Sequence, residues 1–396
     1  MTAQLGTTDT LPSGNSERGR AVRLDPELHR EIARYGGGDV TACMNCGNCT
    51  ATCPLSTDTQ GFPRQIIHLL QVGHREKLRS MLEPWLCYYC GECSETCPRD
   101  ANPAETMMAA RRYLTAQYDW TGIGGRLYRS KWVQLAAVLV VGLVVAGLFA
   151  LFHGAIVTGH VALNTFAPVE TIERADWIMA GILSVLLLSN VWRMYRFVMR
   201  PVNGAAIPVR VLLREAKTFV LHFVTQLRWR QCTGSRWRWL KHLLLVSGYV
   251  TMMMLVEVFL RSFQTDQVVP VWHPTRLFGY YATAVLLYGT ADFLVGRIRK
   301  GDWIHKHSHF SDWVFVGLLF LVALTGILVH IARVSGLPVA TYDLYVIHLA
   351  VVAPFLILQV PFGKWSHMFY RPFAIYLDGV RKKLLAAAAP AMERAA

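Results

Sequence analysis

Charge is scarce in this sequence: Asp, Glu, Lys and Arg make up 17% of it, against 53% hydrophobic residues. A water-soluble chain carries more charge, so much of this one is expected in lipid. Acids are scarcer still than bases, 26 against 40, which leaves a net charge of +14. That excess suits nucleic acid or an anionic membrane surface. The bases gather at the ends of apolar runs, which selects the membrane and excludes nucleic acid. Residues 1–19 lack the apolar centre of a secretory leader. No glycine stretch has the strand–turn–helix setting of a phosphate loop. The glycines at 36–38 and Gly122, Gly124 and Gly125 stand outside one, so no nucleotide site is expected. Cysteine is absent from nearly the whole chain, and eight of the nine fall in two short runs. In a chain without a leader such cysteines are expected to be ligands rather than disulfides.

At 396 residues the chain is too long for one ordinary core. The reading is mainly α: a helical, two-cluster ferredoxin-like domain followed by a six-helix transmembrane bundle. Residues 1–21 read as a disordered tail. Residues 22–120 form the cysteine domain, with helices expected at 25–35, 63–82 and 103–118. A linker at 121–131 leads to a membrane domain at 132–370, and 371–396 reads as a cytoplasmic tail. Six apolar runs, at 132–152, 177–198, 240–263, 277–298, 313–332 and 344–362, are each long enough to span. Segment 208–230 alternates apolar residues with Arg210, Arg214, Lys217, Arg228 and Arg230, and reads as an interfacial helix lying on lipid. Bases such as Arg126, Arg193, Arg236, Arg297 and Lys364 mark one set of ends; Glu170, Glu173, Asp176, Asp266 and Asp343 mark the other. The basic set is expected inside, with both termini and the cysteine domain in the cytoplasm.

The first cysteine run reads CMNCGNCTATCP, with Cys43, Cys46, Cys49 and Cys53; the second reads CYYCGECSETCP, with Cys87, Cys90, Cys93 and Cys97. Both have the spacing C-x2-C-x2-C-x3-C-P. A [4Fe–4S] cube needs four thiolates at its corners, and three on one tight loop wrap three of them. In two-cluster ferredoxins the fourth cysteine of one run ligates the other cluster. The expected sets are therefore Cys43, Cys46, Cys49 and Cys97 for one cube, and Cys87, Cys90, Cys93 and Cys53 for the other. Structural zinc prefers separated pairs of cysteines, which fits this spacing poorly. Cys232 stands alone and reads as an ordinary cysteine.

Histidines inside spans are costly and point to function. A haem b held by two histidines needs them on facing helices at similar depth. Depth pairs His330 with His348 outside, and His242 with His367 inside, which implies two haems. His309 is the alternative for the inner place and Met252 for the outer. His348 and His367, 19 residues apart, lie roughly 28 Å apart along one helix but about 100° apart around it. Pro354 and Pro361 are expected to bend that helix. Glu257 falls on the His242 face and is the candidate proton carrier for a quinone. The bland reading of each residue is a hydrogen-bonded or snorkelling side chain. His222 reads as interfacial, and His153, His160, His273, His305 and His307 as solvated.

Residues 43–98 resemble the C subunit of heterodisulfide reductase. Residues 313–370 resemble the gamma subunit of respiratory nitrate reductase, whose last haem helix matches HLAVVAPFLILQVPFGKWSH, from His348 to His367. The fusion is similar to the C subunits of the quinone-interacting membrane-bound oxidoreductase family. That resemblance implies two flavin and iron–sulfur partners related to heterodisulfide reductase A. It also implies electron exchange between menaquinone and adenylylsulfate reductase. One departure stands out: the gamma subunit carries two histidines on an earlier helix, and here Met252 replaces the second. A heterodisulfide reductase membrane subunit using methanophenazine is one alternative function, and a redox-sensing membrane protein is another.

Overall fold

The computed structural model describes residues 22–57, 60–200, 207–227 and 236–393. The tail at 1–21, Cys232 and the end of the 208–230 segment lie outside the described residues or partly so. Among the described residues extended pairing is limited to one bridge, between Thr57 and Gln60, and the rest is helix and loop.

The amino-terminal unit holds α1 (Leu28–Ala33), α2 (Asn48–Thr52), α3 (Arg64–Val72), α4 (Arg75–Arg79), α5 (Glu83–Leu86), α6 (Glu92–Glu95) and α7 (Pro103–Tyr118). Pro103 opens α7 at the one turn where a missing N–H costs nothing. The single helix expected at 63–82 is broken into α3 and α4. Gly73 ends α3 with φ of 77° and lies against the Asp25 backbone, where a side chain has no room. The linker is itself helical, as α8 (Ile123–Arg129).

The apolar part comprises α9 (Lys131–Phe152), α10 (Leu163–Phe166), α11 (Val169–Met199), α12 (Val209–Thr225), α13 (Arg236–Glu257), α14 (Leu260–Phe263), α15 (Pro274–Arg299), α16 (Trp303–Lys306), α17 (Phe310–Val334) and α18 (Pro338–Gln359), followed by α19 (His367–Glu393). Five of these, α9, α11, α13, α17 and α18, are long and apolar enough to cross a membrane. The chain is a multi-pass membrane protein. Helix α15 has 26 residues and packs against both α13 and α17. Tyr280, Tyr281, Thr283, Tyr288, Thr290 and Asp292 dilute its apolar content, so it falls outside that set. The count of six thus depends on α15.

Two expectations at the carboxy-terminal end are corrected. His348 and His367 do not share one helix. Helix α18 stops at Gln359, the chain turns through 360–363, and α19 starts at His367. Pro361 has no N–H to continue the helix, and its carbonyl accepts from Asn190 Nδ2 at 3.1 Å. Gln359 Oε1 accepts the Lys364 N–H at 3.1 Å and holds the turn closed. The segment from 371, expected as a cytoplasmic tail, continues α19 and packs on the amino-terminal unit. Tyr370, Ala374, Leu377 and Val380 recur on one face of α19 and are fully buried. They join the core built by Leu28, Ile66, Trp85 and Tyr113 of the amino-terminal unit. Each large side chain buried there contributes about 1.5–3 kcal/mol.

Two further contacts seat the cysteine domain on the helices. Asp312, at the start of α17, lies between Arg112 of α7 (3.1 Å) and Lys364 of the turn (2.6 Å). Arg112 also donates to the Tyr35 carbonyl at 2.8 Å. Removing one partner from such a buried network costs about 3–5 kcal/mol. On the other side, Trp303 of α16 covers Gly91, leaving no room for a Cβ, and meets Tyr89 edge-on at 5.2 Å. Gly91 also has φ of 96°. Gly91→Ala is therefore expected to lift this loop off Trp303 and lower iron and acid-labile sulfide per purified chain. Adding Trp303→Ala makes space without relieving the backbone, so only part of the content returns. Full content in Gly91→Ala alone would contradict the packing argument.

Candidate metal centres

The two cysteine runs fold alike. In each, the third residue has a left-handed backbone (Asn45 φ 57°, Tyr89 φ 59°), followed two residues later by a glycine (Gly47 φ 92°, Gly91 φ 96°). This curl points backbone N–H groups inward. Asn45 N–H reaches Cys43 Sγ at 3.5 Å, and Tyr89 N–H reaches Cys87 Sγ at 3.4 Å. A short helix, α2 or α6, then carries the third cysteine of its run, and the two helices pack together.

That packing crosses the fourth cysteines over. Cys43, Cys46 and Cys49 line one cavity with Cys97, and Cys87, Cys90 and Cys93 line another with Cys53. All eight are free thiols in the structure. Among the described residues, no three Cys, His, Asp or Glu side chains close on one point as a single ion requires. A cube offers four separate iron corners and takes its sulfurs farther apart than one zinc ion does. The two crossed sets of four cysteines match the ligand pattern of two cubes. Burial pushes the thiols of Cys49, Cys87 and Cys93 up, and that of Cys53 up to about 11. Such thiols stay protonated at neutral pH unless a metal displaces the proton.

The histidines fall into two groups. His242 of α13 and His367 of α19 line one cavity, with ring centroids 6.4 Å apart. His242 Nδ1 pairs with Gln226 Oε1 at 2.6 Å, and His367 Nδ1 with the Lys364 carbonyl. Anchoring one ring nitrogen and presenting the other is the usual setting of a ligand histidine. If a metal-centred group occupies this cavity, His242 and His367 are the pair placed to hold it. His222 of α12, read from sequence as interfacial, lines the same cavity, one turn before Gln226. The spacing of His222 and Gln226 was the available signal.

His330 and His348 line a larger cavity of about 280 Å³, together with Met252 and Glu257. His348 Nδ1 bonds Thr325 Oγ1 at 2.9 Å, and its ring lies against Gly326. His330 is held differently: its Nε2 meets Tyr280 Oη at 2.8 Å, which leaves only Nδ1 to offer. The outer pair therefore does not match the inner one. His309 lines neither cavity; it caps α17 through Ser311 and packs on Gly36. His305, expected in solvent, is buried against Phe293 and Gly296.

The cavities form a sequence. Phe355 lines the outer one, and Phe315 touches both Phe355 (5.9 Å) and His367 (6.3 Å). Tyr88 lines both the inner histidine cavity and that of the second cysteine run. Pro103 and Ala104, adjacent in the chain, line the first and second cysteine cavities.

Residues 39–101 match the 4Fe-4S dicluster domain family. A protein of Archaeoglobus profundus, similar to the C subunit of heterodisulfide reductase, is 34% identical over 103 residues, covering 25% of this chain and 55% of that one. The C subunit of the H2:CoB-CoM heterodisulfide, ferredoxin reductase of Methanothermobacter marburgensis is 34% identical over 68 residues, 17% of this chain and 37% of that one. The E subunit of the dihydromethanophenazine:CoB–CoM heterodisulfide reductase of Methanosarcina barkeri is 26% identical over 159 residues, 36% of this chain and 59% of that one. The chain spans between about a third and three fifths of the curated relatives it matches. No solved structure matches it significantly. The chain thus carries a 4Fe-4S dicluster domain joined to a multi-pass helical membrane part.

Proposed function

We propose that the chain is the membrane electron-transfer subunit of a heterodisulfide-reductase-type oxidoreductase complex. It carries single electrons between a lipid-soluble quinone and soluble flavin and iron–sulfur subunits. The observation that carries this reading is the sequence of cavities from the outer chamber, through Phe355, Phe315 and the His242–His367 pair, past Tyr88, to the cysteine sets. Relatives named as both C and E subunits support the same pairing of parts.

In this reading Cys43, Cys46, Cys49 and Cys97 hold one cube, and Cys53, Cys87, Cys90 and Cys93 the other. His242 and His367 hold a haem b, which supplies one-electron exchange when bound. His348 and Glu257 face the outer chamber, where Glu257 accepts or delivers the quinone proton. Helix α15 counts as a sixth span, closed between α13 and α17. The basic ends lie inside, with the cysteine domain in the cytoplasm. By the family resemblance, the carrier is menaquinone, the partners are heterodisulfide reductase A-like, and the electron acceptor or donor beyond them is adenylylsulfate reductase.

Optical redox titration of the purified protein tests the reading, followed by addition of a reduced menaquinone analogue. Haem b absorption should appear and reduce on adding the quinol. Glu257→Gln should slow that reduction about 100-fold or more without changing haem content. A protein without haem, or one unresponsive to quinol, would end the quinone reading. The name of the Methanosarcina relative favours a second carrier, dihydromethanophenazine. Faster reduction by that compound than by menaquinol would select it.

A further inference from the structure

The two cysteine loops are close copies, which makes their one large difference informative. In the first loop the Cys43 carbonyl accepts from a neutral amide, Gln71 Nε2, at 2.9 Å. In the second loop the equivalent Cys87 carbonyl accepts from two guanidinium groups. Arg371 Nη2 reaches it at 3.3 Å, and Arg111 Nη2 also bonds it. Arg371 further donates to the Trp85 carbonyl at 3.2 Å and lies 5.7 Å from the Tyr88 ring. Arg111 donates to the Pro84 carbonyl. Both cations are partly buried, and a guanidinium keeps its charge at neutral pH.

From this contrast we infer that Arg111 and Arg371 are positioning residues that raise the reduction potential of the second cluster. The inference rests on the reading that both cysteine sets hold cubes. Reduction adds one electron to a cluster, with no bond or proton moved, and a nearby cation stabilises the added negative charge. The other charges do not undo the contrast. Glu92 lines the second cavity and Glu105 accepts the Tyr89 hydroxyl of the same loop, but the two guanidiniums bond the Cys87 carbonyl itself. Arg64 and Arg99 line the first cavity, yet both are exposed and screened by water. Burial around Cys87 opposes reduction by excluding water, while the same low dielectric strengthens both cations. With two charges fixed at one carbonyl, the cations prevail. The second cluster is then the easier of the two to reduce, and it is the one whose wall, Tyr88, also faces the His242–His367 cavity.

The test is an electron paramagnetic resonance redox titration of the full-length protein with dithionite. Cys46→Ser and Cys90→Ser assign the two signals. The signal altered by Cys90→Ser should have the higher midpoint in the wild type. Arg371→Gln should shift that midpoint downward and leave the other unmoved, while Arg371→Lys should restore it. Should Arg371→Gln lose the second cluster, Arg111→Gln decides in the same titration. Equal midpoints, the reverse order, or equal shifts of both signals would overturn the inference while leaving the cubes in place. No cluster signal at all would instead defeat the reading beneath it.

Discussion

Cys53→Ser is expected to remove or convert the cluster of the second cysteine run and to spare that of the first. Cys53 belongs to the first run by sequence, only four residues after Cys49. In the fold it lines the cavity of Cys87, Cys90 and Cys93. A cube short of one thiolate loses the iron at that corner or fails to assemble. The signal altered by Cys90→Ser should therefore vanish or be replaced by that of a three-iron species. The signal altered by Cys46→Ser should keep its full intensity. Cys97→Ser should do the reverse, since Cys97 lines the first cavity. If each variant instead damaged the cluster of its own run, the crossed arrangement would be wrong.

The second large effect is expected at His367. His367→Ala should abolish the haem b bound between α13 and α19, and His242→Ala should do the same. The two rings are 6.4 Å apart, and each has its Nδ1 held by a neighbouring oxygen. Gln226→Leu removes one of those anchors and should weaken haem retention about 10–100-fold, which haem content after washing would read. His309→Ala should keep its haem, because His309 is occupied at the start of α17. Undiminished haem in both His367→Ala and His242→Ala would remove this site from the reading.

Local signals and long-range packing account for what the sequence disclosed and what it hid. The cysteine spacing, the opening of α7 at Pro103 and its end at Tyr118, and the run that became α9 are short-range features. They are legible because each depends on neighbours within a few turns. The inner histidine pairing was legible too, since depth in a membrane follows from counting residues along a span. The break after Gln359 was not. Pro361 marked it, but the turn is closed by Asn190, 171 residues away. His222 was hidden for a similar reason: its place beside His242 depends on how α12 folds back over α19. The buried stripe on α19 was visible as a pattern, but its partners, Trp85 and Tyr118, lie far upstream in the amino-terminal unit. Glu257 sits in the outer cavity, but the setting of His330 against Tyr280 could not be read from spacing at all.

The packing of α19 has a consequence for how the protein is made. Ribosomes release the cysteine domain first, yet Tyr370, Ala374, Leu377 and Val380 complete its core. The newborn domain therefore waits, with an apolar face uncovered, while hundreds of residues are threaded into the bilayer. Iron and sulfide delivery to its second loop is expected to follow membrane insertion, because Arg371 reaches Cys87 only after the last helix arrives. Biogenesis thus closes a circle, in which residues synthesised early mature only when residues synthesised far later return to them.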